Sequence, residues 1–172
     1  AGRYEHYSDV GDTESGKIST RYQIVDGLAV RGSISNGFRA PNLQQEYYSS
    51  SIPNYIFVNG IGNILGNAYV APPGSTIARL FGAQALKPEE SVDATIGFVA
   101  EPIDGLHATV DAYGIKINNR IVQSGTITGA LVNTLLLANG LQPGSVAYYM
   151  NGVDTTTRGI DISADYLTEL GG

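Results

Sequence analysis

The chain has no cysteine, no tryptophan, one methionine and two histidines in 172 residues. Without cysteine there is neither a disulfide nor a thiolate metal site, and such a chain fits any compartment. His6 and His107 lie far apart, and neither has a second histidine or a carboxylate at a usual ligand spacing. They read as ordinary polar residues. Positive charge is also scarce: 10 Lys and Arg stand against 16 Asp and Glu, for a net charge of -6 and a pI near 4.7. A nucleic-acid binder normally carries a basic patch, so this balance argues against nucleic acid as a partner. No apolar run approaches the roughly 20 residues of a membrane helix. That excludes a helical span but not a membrane β-barrel, whose strands need only about 9–11 alternating residues. What the chain has in quantity is glycine (22) and tyrosine (11). Its length suffices for one ordinary domain with a core. The opening Ala1-Gly2, with no initiator methionine or signal-peptide pattern, and the closing Leu170-Gly171-Gly172 read as cuts within a longer protein.

Period-two alternation is the main structural signal. Arg3 to Tyr7 reads as the end of a strand and Ser8 to Gly16 as a polar loop. From Lys17 to Ile24, Ile18, Thr20, Tyr22 and Ile24 share one face, with Lys17, Ser19, Arg21 and Gln23 on the other. Asp26-Gly27 signals a hairpin turn. Leu28, Val30, Ile34 and Phe38 continue the apolar face, opposite Ala29, Arg31, Ser33, Ser35 and Arg39. Alternation stops at Ala40-Pro41, because proline fixes φ and has no N–H. Arg39 to Glu90 then shows no sustained strand pattern, with one short helix expected at Thr76 to Phe81, capped by Ser75 and ended by Gly82.

Ser91 to Glu101 is the next strand, Val99 being its exception, and Pro102 to Gly105 is a tight turn. Leu106 to Ile117 returns with a break in phase, for which a β-bulge near Gly114 or a strand leaving the membrane are alternative causes. Gly125 to Ser145 is a second long connection holding a short helix at Ala130 to Ala138, with Thr128 near its start and Gly140 after its end. Val146 to Asn151 reads as a rising or edge strand, and Arg158 to Leu167 alternates again. Short turns and long loops therefore take turns along the chain, as in an up-and-down barrel.

Four stretches, in order, resemble the TonB-dependent outer-membrane receptors. They are Gly37-Phe38-Arg39-Ala40-Pro41, Leu86-Lys87-Pro88-Glu89-Glu90-Ser91, the run from Asp111 to Ile121, and the run from Asn151 to Asp161. The resemblance implies an all-β fold: an antiparallel up-and-down meander, a partial segment of a 22-stranded transmembrane β-barrel, with short helices in long loops. It implies that residues 1–172 are part of the barrel domain, with the plug domain and other strands absent. It further implies residence in the outer membrane of a Gram-negative bacterium. The function implied is binding and import of a scarce nutrient, such as an iron-siderophore, cobalamin or a carbohydrate. The implied partners are outer-membrane lipid, a nutrient ligand such as a metal chelate, and the TonB complex through an N-terminal part not in this chain. A soluble β-rich ligand-binding or adhesion domain is the alternative, and it leaves the long loop and the ordered motifs unexplained.

Arg39 and Glu89 bracket the first long loop on the polar faces of strands expected to be neighbours, and an ion pair closing the loop base is expected. Tyr47, Tyr48, Tyr55, Phe57 and Tyr69 are the expected ligand-contacting residues, since aromatic rings in an external loop can enclose a ligand at a barrel mouth. The alternative for each is packing within the loop or a place in an interfacial girdle. Asp9, Asp12 and Glu14 lack the EF-hand pattern, and Ser15-Gly16 and Ser124-Gly125 lack the setting of a nucleophile elbow. Asp93, Glu101, Asp161 and Asp165 fit a wet lumen face without catalysis. No enzyme, cofactor or metal site is expected. An isolated barrel piece has two open edges and an exposed apolar face. An open curved sheet is expected, covered by self-association or by loops folding back.

Overall fold

The computed structural model describes residues 1–8, 11–58 and 62–168. The chain runs β1 (Gly2–Tyr7), β2 (Gly11–Val25), β3 (Leu28–Arg39), α1 (Leu43–Tyr47), β4 (Ser50–Val58) and β5 (Gly62–Val70). It continues α2 (Thr76–Leu80), β6 (Glu89–Ile103), β7 (Leu106–Gln123), α3 (Ala130–Ala138), β8 (Gly144–Ala147) and β9 (Tyr149–Tyr166). Two compact units result, one of Ala1–Arg39, Glu90–Asn118 and Asp154–Gly172, the other of Ala40–Glu89 and Asn119–Val153.

The first unit is built on a six-stranded sheet in the order β1-β2-β3-β6-β7-β9. Its antiparallel registers keep parity. Tyr4 faces Glu14, Ile18 faces Ile34, and Ile96 faces Ala112. The β3–β6 seam is set by the Glu101 N–H donating to the Gly27 carbonyl (2.6 Å), and the β7–β9 seam by the Leu167 N–H donating to the Gly105 carbonyl (2.8 Å). Even-numbered residues therefore share one face from β2 to β9, and odd-numbered residues the other.

The even face is apolar and bare. Ile18 is 75% exposed, Ile96 59% and Ile162 76%, and Tyr22, Ile34, Phe98 and Ile160 are likewise exposed. Ala29 is the one buried hydrophobic residue of this unit among the described residues. The expectation that loops fold back over this face is not met: its apolar side chains are left open. A sheet in water is stabilised by burying such a face, whereas a lipid-facing sheet keeps it outward.

The second unit has a conventional core. Leu136, Val146 and Ala78 are fully buried, with Tyr69, Ala71, Ala83, Val132 and Tyr148 around them. The Ser75 hydroxyl caps α2 by accepting from the Ala78 N–H (3.2 Å), as its sequence predicts. The α3 span also matches, although Gly129, which has no side chain to offer, is the residue at its N-cap.

Four readings need correction. Ser8 to Gly16 is not all loop, because β2 begins at Gly11 and pairs with β1; polar residues on both strand faces carried no alternation to see. The long connection after Arg39 holds a hairpin, β4–β5, that pairs Tyr55 with Leu65. Pro53 obscured it, yet β4 is an edge strand, where proline is tolerated. The same segment holds α1, whose Asn42 and Gln45 form a capping box. The sheet of β4, β5 and β8 is not purely antiparallel, since β8 runs parallel to β5. Finally, there is no bulge at Gly114: β6 and β7 pair without a break from Glu90–Asn118 to Ala100–Ala108. Tyr113, Ile115 and Ile117 are simply apolar residues on the odd face.

Candidate functional site

The odd face of the six-stranded sheet carries an open groove of about 920 Å³. It is lined by three cations (Lys17, Arg21, Arg31), three carboxylates (Asp93, Asp111, Asp161) and the hydroxyls of Ser19, Ser33, Ser35 and Thr95. Alternation supplies this wall: each side chain is the odd neighbour of an apolar even residue on the same strand. The charges are segregated, with cations on β2 and β3 and carboxylates on β6, β7 and β9.

One contact organises the groove. Arg31 Nε donates to Asp111 Oδ1 (2.8 Å) and a terminal guanidinium nitrogen donates to the other carboxylate oxygen. This is a bidentate pair, made between strands that are not neighbours. The strand between them is β6, and the residue facing Asp111 on it is Gly97. A Cβ at Gly97 would overlap the Asp111 carboxylate and the Val110 carbonyl, so the missing side chain is what lets the pair reach across. A second glycine acts similarly: the Tyr113 ring lies over Gly159, its hydroxyl 2.5 Å from where a Cβ would stand. The sequence held a signal for both, a glycine at a polar-face position within a strand, but none that named its partner.

Arg21 faces Arg31 across the β2–β3 ladder. With Arg31 bound to Asp111, Arg21 and Lys17 carry charges without ion-pair partners among the described residues, as do Asp93 and Asp161. Such a wall suits polar solute or a polar protein surface. It lacks the constellation of a nucleophile, base and oxyanion donors, and no group of three or more potential metal-ligating side chains occurs among the described residues.

Beyond the apolar band, the tips of β1 and β2 hold a polar cluster. His6 Nδ1 lies 2.6 Å from Asp12. Hydrogen bonds from His6 and then Tyr4 hold the Asp12 carboxyl below its usual range, and the bond to Asp12 raises the Tyr4 hydroxyl, with desolvation and the Glu14 charge adding to it. His107 is 3.2 Å from Glu101. Each histidine thus has a carboxylate partner that spacing alone did not reveal. Asp9 lies outside the described residues.

The five loop aromatics separate. Tyr55 (73% exposed) and Phe57 (71%) alternate on one open face of β4, and Tyr47 and Tyr48 are exposed at the end of α1. Tyr69 is only 8% exposed. Its hydroxyl is within 3.2 Å of both Asn67 Nδ2 and the Gln142 carbonyl, to which it donates. It also lines a cavity of about 570 Å³ with Asn67, Pro72, Ser75 and Leu141. Arg39 ends β3 and Glu89 begins β6, and these strands are neighbours as expected. Glu89 is 8% exposed and its carboxylate accepts the Ile121 N–H (2.8 Å).

Asn151 was not singled out by its sequence, yet it joins three segments of the second unit. Its Oδ1 accepts from the Lys87 N–H (2.8 Å), and its Nδ2 donates to the carbonyls of Lys87 (2.9 Å) and Asn119 (2.6 Å). Together with the Glu89–Ile121 bond, this brings three of the four family-like stretches to one place.

Comparison with known proteins gives a consistent picture. The family described as TonB dependent receptor-like, beta-barrel matches residues 1–172. The chain is 26% identical over 122 residues to the iron-regulated outer membrane virulence protein of Vibrio cholerae, covering 71% of this chain and 16% of that protein. Among solved structures it resembles the siderophore receptor PirA from Pseudomonas aeruginosa, with a TM-score of 0.63 and 18% identity, over 98% of this chain and 27% of that one. It also resembles a mutant ferric enterobactin receptor from the same organism in complex with enterobactin (TM-score 0.62, 20% identity, 92% of this chain and 20% of that one). A third is a double mutant of the Serratia marcescens hemophore receptor HasR in complex with its hemophore HasA and heme (TM-score 0.61, 17% identity, 91% and 20%). At these identities the structural likeness is one of fold. The chain spans well under a third of the length of each relative.

Proposed function

We propose, from the premise that this chain belongs to the TonB-dependent receptor β-barrel family of the outer membrane, that it forms a wall section of an active transporter for a scarce nutrient. The family is one of receptors and transporters, not enzymes. In this reading residues 1–172 are one part of a 22-stranded barrel domain. The bare even face meets lipid, the charged odd face lines the lumen, and the connections after β3 and β7 lie outside the cell, where such barrels carry their long loops. The observation that carries the reading is the parity of the sheet: apolar residues exposed on one face and charges and hydroxyls on the other. A soluble binding or adhesion domain would bury the apolar face.

The nutrient we favour is a ferric siderophore or a related metal chelate, in keeping with the siderophore and enterobactin receptors it resembles, with cobalamin as the next candidate. Import would draw energy from the TonB complex through a segment outside this chain. Tyr47, Tyr48, Tyr55 and Phe57 are the proposed ligand-contacting side chains, and Tyr69 the one that shapes the loop beneath them. Arg39 and Glu89 are proposed as a structural ion pair, on the strength of the strand order; Arg39→Glu should be rescued by Glu89→Arg, and failure of that rescue would remove the pair. Outside its barrel, the 172-residue chain is expected to self-associate through its apolar face.

The test is fractionation of cells making the full-length receptor, with heat-modifiable gel mobility as the readout, followed by ligand titration. A heat-modifiable outer-membrane band is expected, with chelate binding weakened by Tyr55→Ala and Phe57→Ala. A soluble product without heat modification would overturn the reading.

A further inference from the structure

Resting on the receptor reading, we propose that Lys116 and Arg158 form a site on the outside of the barrel for the phosphate of an outer-leaflet lipid headgroup. Following the even face towards the long loops shows where the lipid-facing band ends. It runs from Ile24 to Ile18 on β2, from Ala100 to Val92 on β6, from Leu106 to Gly114 on β7 and from Tyr166 to Ile160 on β9. The next even residues are Gly16, Glu90, Lys116 and Arg158. Charges of both signs follow the border: Asp12, Glu14 and Glu90 on β2 and β6, and Asp154 on β9 two even positions beyond Arg158, with Glu90 facing Asn118 beside Lys116. The first charged even residues on the adjacent strands β7 and β9 are the cations Lys116 and Arg158.

Both cations are exposed and share the outward face. Lys116 faces Val92, the last apolar residue of β6, and Arg158 follows directly on the exposed Ile160. The Arg158 stem passes over Gly114, its Cγ 4.0 Å from where a side chain there would begin. The β7–β9 seam sets Thr156 opposite Lys116 and Arg158 opposite Gly114. Neither cation has an ion-pair partner among the described residues. Long basic side chains at an apolar border keep their stems in the hydrocarbon and lift their charge to the headgroups, and a basic pair there is complementary to phosphate. The site is continuous with the lipid-facing surface, which already places a lipid beside it. This fixes the occupant as a lipid headgroup, not a soluble anion.

The experiment uses the full-length receptor purified from outer membranes in mild detergent. Binding of lipid A, a glucosamine lipid with two phosphates, is compared with that of its dephosphorylated form by native mass spectrometry. Lys116→Gln with Arg158→Gln should weaken lipid A binding roughly 30-fold, the effect of two cations near an anionic surface. The dephosphorylated lipid should bind wild type as weakly as lipid A binds the variant. Lys116→Arg with Arg158→Lys should retain lipid A, and Lys17→Gln, which removes a charge on the lumen face, should leave it unchanged. Equal lipid A binding by wild type and the double glutamine variant would overturn the proposal. Indifference of wild type to the phosphates would also overturn it, and that comparison decides the matter even if the variant does not assemble. Failure of the receptor reading is distinguishable, because wild type would then be missing from the outer membrane.

Discussion

Replacing Ile96 with lysine gives opposite expectations for a sheet in water and a sheet in lipid. Ile96 is 59% exposed, and in a soluble protein an exposed substitution of this kind falls within about ±0.5 kcal/mol. In a barrel wall it is the middle of the five even positions from Val92 to Ala100 on β6. Four residues separate it from either end, about 13 Å along the strand and roughly 10 Å along the membrane normal at a strand tilt near 40°. That depth is close to the bilayer centre, where a lysine on the lipid face costs about 2–4 kcal/mol. The cost should fall with depth, so Val92→Lys at the border should cost about 0–1 kcal/mol. On the odd face next to Ile96, Thr95→Lys enters the charged groove and should cost little. The assay is denaturant unfolding of the full-length receptor in lipid vesicles, read by heat-modifiable mobility. A neutral Ile96→Lys, or a Thr95→Lys more costly than Ile96→Lys, would refute the assignment of faces and the receptor reading with it.

Gly97→Ala should destabilise by about 1–3 kcal/mol, as overpacking does, although alanine ordinarily improves a strand glycine. In an Asp111→Ala background only the overlap with the Val110 carbonyl remains, so the penalty should shrink, and an undiminished penalty in unfolding measurements would show that the carboxylate is not what Gly97 makes room for. Asn151→Ala removes three hydrogen bonds to two backbone segments and should cost about 1–3 kcal/mol. The readout is faster amide exchange at Lys87, and unchanged protection there would contradict the role given to Asn151. The Tyr4–His6–Asp12 cluster makes the β1–β2 tip acid-sensitive. Because the Asp12 pKa is lowered on folding, its contribution is present above the unfolded value near 3.9 and is lost as pH falls through the folded value. Tyr4, raised on folding, contributes below about pH 10 and loses that contribution as pH rises through its folded value. Side-chain NMR titration checks both, and Asp12→Asn should abolish the acid transition.

How much of this was legible in the sequence depends on which solvent each unit answers to. The six-stranded sheet is apolar on its even face and largely polar on its odd face, so β6 and the later parts of β2 and β9 alternate, and parity alone assigns Ile96 and Thr95 to their faces. The second unit buries Leu136, Val146 and Tyr69 in a core made by helices, a hairpin and a parallel strand together. Partial burial there is irregular along the chain, and β4, with Pro53 inside it and a serine run at Ser49–Ser51 across its start, offers no period to read. The groove divides the same way. Most of its residue types were visible, because the odd positions of the alternating stretches are polar, Tyr113 and Ile115 being the exceptions in its lining. The pairing of Arg31 with Asp111 was not, because it depends on which strand lies between them and on Gly97 leaving space. Ligand recognition in such a receptor would rest on the less legible unit. Alternation forced by a membrane constrains the wall, while the loop aromatics proposed to contact the ligand are free of it. If the proposed assignment of Tyr47, Tyr48, Tyr55 and Phe57 holds, the identity of the nutrient would be encoded there, where periodicity carries no information and only direct binding measurements do.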